Sequence, residues 1–211
     1  MVNSCLAGSL AVALPVLGVA GWLDARFREV DPELWYGPLI LSLPLGACYA
    51  LRSAGGLALV FYVAGLAFWA VMAVLYVLGL IGGADVLATL LVVLSLPAPP
   101  RPGPGLGLLP PVIPVLLIAT LAGLAYRFWA VARVYGLGRA LRGLEVTVEA
   151  RRLLEDRALL WWVPRGVGVE EEWAWELVSV RGRVRAGPGS PLVTMMFIGV
   201  LAYLGLVLAG L

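Results

Sequence analysis

The chain has no lysine and no histidine; all fifteen of its basic residues are arginine. Without histidine there is no imidazole base and no imidazole metal ligand, and without lysine there is no Schiff-base nucleophile. Two cysteines, Cys5 and Cys48, are too few for a zinc site or a disulfide framework. Charge of either sign is scarce, at 13% of residues against about 25% in a soluble domain. A formal net charge of +2 offers no electrostatic footprint for nucleic acid. No motif calls for a cofactor or a metal. Met1-Val2-Asn3-Ser4-Cys5 lacks the basic n-region of a cleaved signal peptide, and no lipidation motif stands out.

What the chain has instead is apolar length. Hydrophobic residues make up 62% of 211 and the mean hydropathy is +0.97, which is the composition of an integral membrane protein. Leu6–Leu23 is eighteen residues without a charge, close to what a bilayer core of about 30 Å requires. Asp31-Pro32-Glu33 reads as an N-cap, a proline at N1 and an acidic first turn. A second helix is therefore expected from there to about Leu51, interrupted by Pro38 and Pro44, with Trp35 and Tyr36 at the membrane interface. Leu57–Ile81 is a third span. A fourth, from about Gly83 to Leu96, is short, since the sixteen residues Gly82–Pro97 give only about 24 Å of helix.

Pro97–Pro111 carries seven prolines and three glycines and reads as a polyproline-like connector. Val112–Val134 is the fifth span, with Arg127 and Arg133 placed to snorkel to headgroups. Leu192–Leu211 is the sixth and is uncharged. Between the last two lies the polar stretch of about Tyr135–Pro191, with nine arginines and eight of the thirteen acidic residues. Glu145-Val146-Thr147-Val148 alternates like a strand, Glu149–Arg157 suggests one or two helical turns, and Ala158–Val163 and Leu177–Val184 read as further strands. Trp161, Trp162, Trp173 and Trp175 serve either as interface anchors or as the core of this lobe.

The expected fold is thus an all-α polytopic membrane protein of six transmembrane helices, with a small α+β cytoplasmic lobe between helices five and six. Its parts are a five-helix membrane core over residues 1–134, the lobe over 135–191 and the sixth helix over 192–211. Six spans put both termini on one side. The loops after spans one, three and five, with their flanks, hold thirteen arginines, while the opposite side has Arg52 and Arg101. Positive charge marks the cytoplasmic face, so both termini are expected outside the cell membrane. Cys5 and Cys48 then fall near the outer ends of their spans, where a disulfide is open to them, although free thiols are commoner in apolar helices.

Two of the four aspartates border these apolar runs: Asp24 closes the first, and Asp85 follows Gly82-Gly83-Ala84 between the third and fourth. An ionisable group at such a depth is costly and marks a functional candidate. The structural alternatives are a helix-end charge among headgroups for Asp24 and a first-turn acid favoured by the helix dipole for Asp85. Two carboxylates brought together in a low-dielectric site share one proton, which leaves one acid and one base. Such a pair activates water on a peptide carbonyl without histidine or metal.

Asp24-Ala25-Arg26-Phe27-Arg28-Glu29-Val30-Asp31 resembles the first motif of the prepilin peptidases, and Gly82-Gly83-Ala84-Asp85 resembles their GxGD motif in its archaeal form. The tail Gly187-Pro188-Gly189-Ser190-Pro191-Leu192 before a final span is similar to the end of the archaeal preflagellin (prearchaellin) peptidases. The family usually has a lysine two residues after the second aspartate, where this chain has Leu87; the contribution of that cation is either missing here or supplied elsewhere, as by Arg26 or Arg28. The resemblance implies a membrane aspartic endopeptidase with Asp24 and Asp85 as catalytic pair. It would remove the short basic leader from archaeal pilin-like or archaellin precursors at the cytoplasmic face. Its partners would be the precursor's helix and membrane lipid, with Glu170-Glu171-Glu172 either attracting the leader or forming a solvated acidic turn. The competing classes are a small transporter or channel using the same two acids, and an inactive relative.

Overall fold

The computed structural model of the chain describes residues 4–27, 30–52, 56–78, 81–100, 108–149, 162–164, 183–188 and 191–210. Arg28, Trp161, Trp173, Trp175, Glu170-Glu171-Glu172 and nearly all of the helical turn expected over Glu149–Arg157 lie outside the described residues. The chain is predominantly helical. Its helices are α1 (Ser4–Phe27), α2 (Glu33–Arg52), α3 (Leu57–Val77), α4 (Gly83–Ser95), α5 (Val112–Tyr135), the single turn α6 (Leu137–Ala140) and α7 (Leu192–Ala209). Five of these, α1, α2, α3, α5 and α7, are long and apolar enough to cross a membrane, as in an all-α polytopic membrane protein. The residues fall into two compact units, Met1–Ala122 with Pro191–Leu211, and Gly123–Ser190.

In the first unit α1 packs against α2 and α7, and α4 is enclosed by α1, α2, α3 and α7. The buried positions of α1, namely Leu6, Ser9, Ala13, Leu17 and Ala20, recur every three or four residues, as one helix face requires. That stripe, continued by four residues, arrives at Asp24. α7 repeats the pattern with Val193, Met196, Val200, Tyr203 and Val207. α4 buries eight of its thirteen residues, as expected of a short helix that is apolar on every side. α3 lies at the margin and leaves Val60, Val63, Val71 and Val74 exposed. Backbones come into contact where α2 crosses α4: a Cβ on Gly46 would overlap the Leu94 carbonyl oxygen. Small residues permit such close packing where lipid supplies no hydrophobic drive between helices.

The structure corrects three expectations. α2 is continuous through Pro38 and Pro44, because neighbouring helices in a bundle can satisfy the carbonyls that a proline frees. Trp35, expected beside Tyr36 at the interface, is fully buried, whereas Tyr36 is exposed; adjacent helical positions are turned about 100° apart. The start of the proline-rich stretch is no loose connector. After α4 the chain runs on without helix, and Leu96 and Ala98 are buried. The Tyr49 hydroxyl donates to the Pro99 carbonyl at 2.9 Å. Proline has no N–H to leave unpaired, so Pro97 and Pro99 lower the cost of burying irregular backbone.

A disulfide joins Cys5 to Cys48, with the Cα atoms 6.0 Å apart, which resolves the choice left open between free and bonded thiols. Asp31 caps α2 as expected, its Oδ1 accepting the Glu33 N–H at 2.8 Å.

In the second unit three antiparallel strands, β1 (Val146–Glu149), β2 (Trp162–Pro164) and β3 (Arg183–Pro188), form a sheet of order β1-β3-β2. Val146 and Val148 face inward and pack with Ala186, Val131 and Ala140, bordered by Phe128, Ala132, Tyr135 and Leu144. The expected first strand matches β1 within a residue. β2 begins near the end of the expected Ala158–Val163 strand. β3 continues past Val184 to Pro188 because it pairs on both sides, Ala186 opposing Val146 and Pro164. Pro164 ends an edge strand, where no ladder N–H is needed.

Candidate active site

Contacts between three pairs of segments fix the directions of the helices in the first unit. The disulfide ties the start of α1 to the end of α2. Asp24, in the last turn of α1, is bonded to the start of α7. The Gly46–Leu94 approach and the Tyr49–Pro99 hydrogen bond tie the end of α2 to the end of α4 and the residues after it. It follows that α2, α4 and α7 all begin at the end of the unit where α1 finishes. Asp24 and Asp85 stand at that common end.

Asp24 is half-buried and lies inside α1, whose helix continues to Phe27. Its Oδ2 accepts the backbone N–H of Val193 at 3.0 Å and of Thr194 at 3.3 Å. These belong to the first turn of α7, where four N–H groups lack helical partners. The residue at the cap position of α7 is Pro191, with no side-chain cap bond, so Asp24 supplies from another helix the acceptor that a Ser or Asp would normally provide locally. Thr194 completes the contact: its hydroxyl donates to the Gly21 carbonyl at 2.6 Å. A Cβ on Gly21 would stand 3.1 Å from Thr194 Cα, so glycine is what admits α7 to this distance.

Asp85 is the third residue of α4 and is half-buried. Its Oδ2 accepts the Gly82 N–H at 3.3 Å, the backward half of a capping box. The two glycines are there for space. A Cβ on Gly82 would press on Asp85 Oδ2 at 3.3 Å, and one on Gly83 would meet the Tyr76 ring at 3.4 Å. Ala84 and Leu87 are half-buried in the same first turns. One turn on, the Thr89 hydroxyl donates to the Asp85 carbonyl at 2.7 Å and lies 3.9 Å from Met196 Sδ. Thr89 is four residues into α4 from Asp85 and Met196 three into α7 from Val193, so the two helix starts stand within about one turn, ~5 Å, of the same level.

Both acids therefore lie against the positive end of a helix, Asp85 on its own and Asp24 on α7, and each such end stabilises negative charge. Of the arginines expected to assist them, Arg26 is exposed and lies with its guanidinium 5.5 Å from the Trp22 ring centroid, an interfacial pairing. Arg133 does the same over Trp129 at 5.2 Å. Among the described residues no cluster of three or more Cys, Asp or Glu side chains could hold a metal ion.

Sequence reasoning missed the start of α7. Backbone N–H groups have no residue signature, and the hint that exists, a proline where a capping side chain is usual, is clear only once Asp24 is seen to fill the role. It also missed Tyr76, whose ring covers Gly83, and the fully buried Trp35, whose indole Nε1 has no hydrogen-bond partner among the described residues. Comparison with protein-family models, with curated proteins and with solved structures finds no match to this chain.

Proposed function

We propose that the chain is a membrane-embedded aspartic endopeptidase that removes the short basic leader from pilin-like or archaellin precursors at the cytoplasmic face. The observation that carries this reading is the placing of Asp24 and Asp85 at one end of the helical unit, beside the neighbouring starts of α4 and α7. In the reaction, one carboxylate takes a proton from water as its oxygen attacks the scissile carbonyl carbon. The other, protonated, stabilises the tetrahedral oxygen and gives its proton to the leaving nitrogen as the C–N bond breaks. Proton and hydroxide are both accounted for without a metal.

The six-crossing topology belongs to this proposal. α4 has thirteen residues, about 20 Å of helix. The five non-helical residues that follow, with bends at Pro97, Ala98 and Pro100, add at most about 15 Å. Together they can reach across the roughly 30 Å of a hydrocarbon core. This crossing is a short helix with a buried non-helical tail. Both termini lie outside. The arginine asymmetry supports that orientation, and so does the disulfide at the end opposite the acids, since such bonds persist on the oxidising side of a membrane.

A second reading draws on the same tail. A helix that breaks within the bundle is a feature of transporters, in which Asp24 and Asp85 would bind protons or cations. The purified protein, incubated with a leader-bearing precursor, separates the two. Peptidase activity gives a size shift that both Asp24→Ala and Asp85→Ala abolish. No shift from the wild type, together with acid-dependent ion uptake into vesicles that Asp85→Ala removes, supports the transporter.

A further inference from the structure

The stretch Gly123–Leu144, which opens the second unit, carries four arginines, Arg127, Arg133, Arg139 and Arg142, and no acid. It follows directly on the apolar length of α5, a helix long enough to cross a membrane. At Gly136, where φ is +83°, the chain leaves α5 and starts the single turn α6; glycine alone takes that backbone conformation without steric cost. Ala140 is the residue of α6 that packs into the core of the sheet, with Val131, Val146, Val148 and Ala186. Leu137 and Leu141 stay out of it. They stand one turn apart, and so on one face, and are 60% and 72% exposed. Arg133, Arg139 and Arg142 are exposed before, between and after them along the chain. Two large apolar side chains left open among cations match the boundary where acyl chains meet anionic headgroups.

We infer that α6 and its flanks are a docking surface for an anionic lipid leaflet. Leu137 and Leu141 enter the tops of the acyl chains, and Arg133, Arg139 and Arg142 meet lipid phosphates. Two observations favour lipid over a protein partner: the charge is of one sign, and the surface continues from a membrane-spanning helix. α5 delivers the turn to the membrane face, so docking is an intramolecular step that a modest attraction suffices to drive. Trp129, 53% exposed with the Arg133 guanidinium 5.2 Å from its ring centroid, is a residue pair suited to headgroup depth. The Arg139 guanidinium donates to the Glu145 carbonyl at 3.0 Å, which ties the turn to the segment leading into β1. Through that bond and Ala140, the docked turn holds the sheet at the membrane surface. The inference rests on the membrane class of the chain and not on the peptidase reading.

The full chain provides the test. Its two cysteines are joined in a disulfide, so Leu137→Cys or Leu141→Cys offers a single thiol for an environment-sensitive fluorophore. Thr147→Cys is the control, because Thr147 is exposed on β1 between the inward-facing Val146 and Val148. In vesicles of phosphatidylglycerol and phosphatidylcholine in equal parts, probes on Leu137→Cys and Leu141→Cys should be quenched by nitroxide-labelled lipid. They should also be shielded several-fold from aqueous acrylamide, a neutral quencher, relative to the probe on Thr147→Cys. Adding Arg133→Gln or Arg142→Gln should raise acrylamide access about fivefold for each arginine removed; vesicles of phosphatidylcholine alone and high salt should act in the same direction. Equal acrylamide access at Leu141→Cys and Thr147→Cys in the anionic vesicles overturns the inference. So does a shielded probe that nitroxide lipid fails to quench, which would show that a protein surface covers the turn. Shielding that ignores both the arginine variants and the lipid charge overturns the assignment to anionic lipid.

Discussion

Asp24 and Asp85 each accept hydrogen bonds at a helix start, so a residue can matter here for the fold, for chemistry or for both. Gly82 distinguishes these effects. A side chain there presses on Asp85 Oδ2 from 3.3 Å, so Gly82→Val should push the carboxylate aside. We expect leader removal to fall about tenfold, since small misplacements of a reacting group are costly, with little change in thermal unfolding. Equal loss of stability and activity would mean that the glycine serves the fold alone. Asp85 was readable as a first-turn acid because the glycines that free the turn lie directly before it. The partner of Asp24 was not, since Val193 and Thr194 are 169 and 170 residues away and take part through backbone N–H groups that every residue except proline has.

At the scale of the element, α4 decides the architecture. Its short length was legible from the charge-free run that ends at Pro97. Its continuation as buried non-helical chain was not, because a run of prolines suggests a solvated connector unless a neighbour covers it. Tyr49 is that neighbour. Tyr49→Phe removes the 2.9 Å bond to the Pro99 carbonyl, and its cost should be about 1 kcal/mol in unfolding free energy. The same segment needs α2 close by, and Gly46 allows that. Gly46→Val drives a side chain into the Leu94 carbonyl and should destabilise by about 3 kcal/mol or more, as overpacking does at its upper end. A fully stable Gly46→Val protein would show that α2 and α4 are not in backbone contact. For α2, breaks at Pro38 and Pro44 were the wrong expectation, because helix-breaking strength measured in water does not carry over to a bundle.

For the molecule as a whole, composition alone established the membrane class, and the scarcity of charge made each acid conspicuous. The sheet of the second unit was legible in its first strand, where Val146 and Val148 alternate with polar neighbours, and less so in β3, whose extent depends on pairing with two partners. The disulfide was legible only as an option, since the sequence sets Cys5 and Cys48 near the outer ends of adjacent antiparallel spans but does not show that the two thiols meet. Its closed loop spans 43 residues, which corresponds to about 4 kcal/mol if the unfolded chain is fully flexible. Reduction should lower the unfolding temperature. In intact cells a membrane-impermeant maleimide should then reach Cys5 and Cys48 from outside, and labelling from the inner face alone would reverse the orientation. The central claim is that the acids do chemistry as well as capping, and asparagine tests it because its amide oxygen still accepts a backbone N–H while the acid function is gone. The decisive measurement is the N-terminal mass of a leader-bearing precursor co-expressed with Asp24→Asn or with Asp85→Asn. Each variant should fold and accumulate like the wild type yet remove leader about 100-fold more slowly or not at all; wild-type processing by either one would contradict the account.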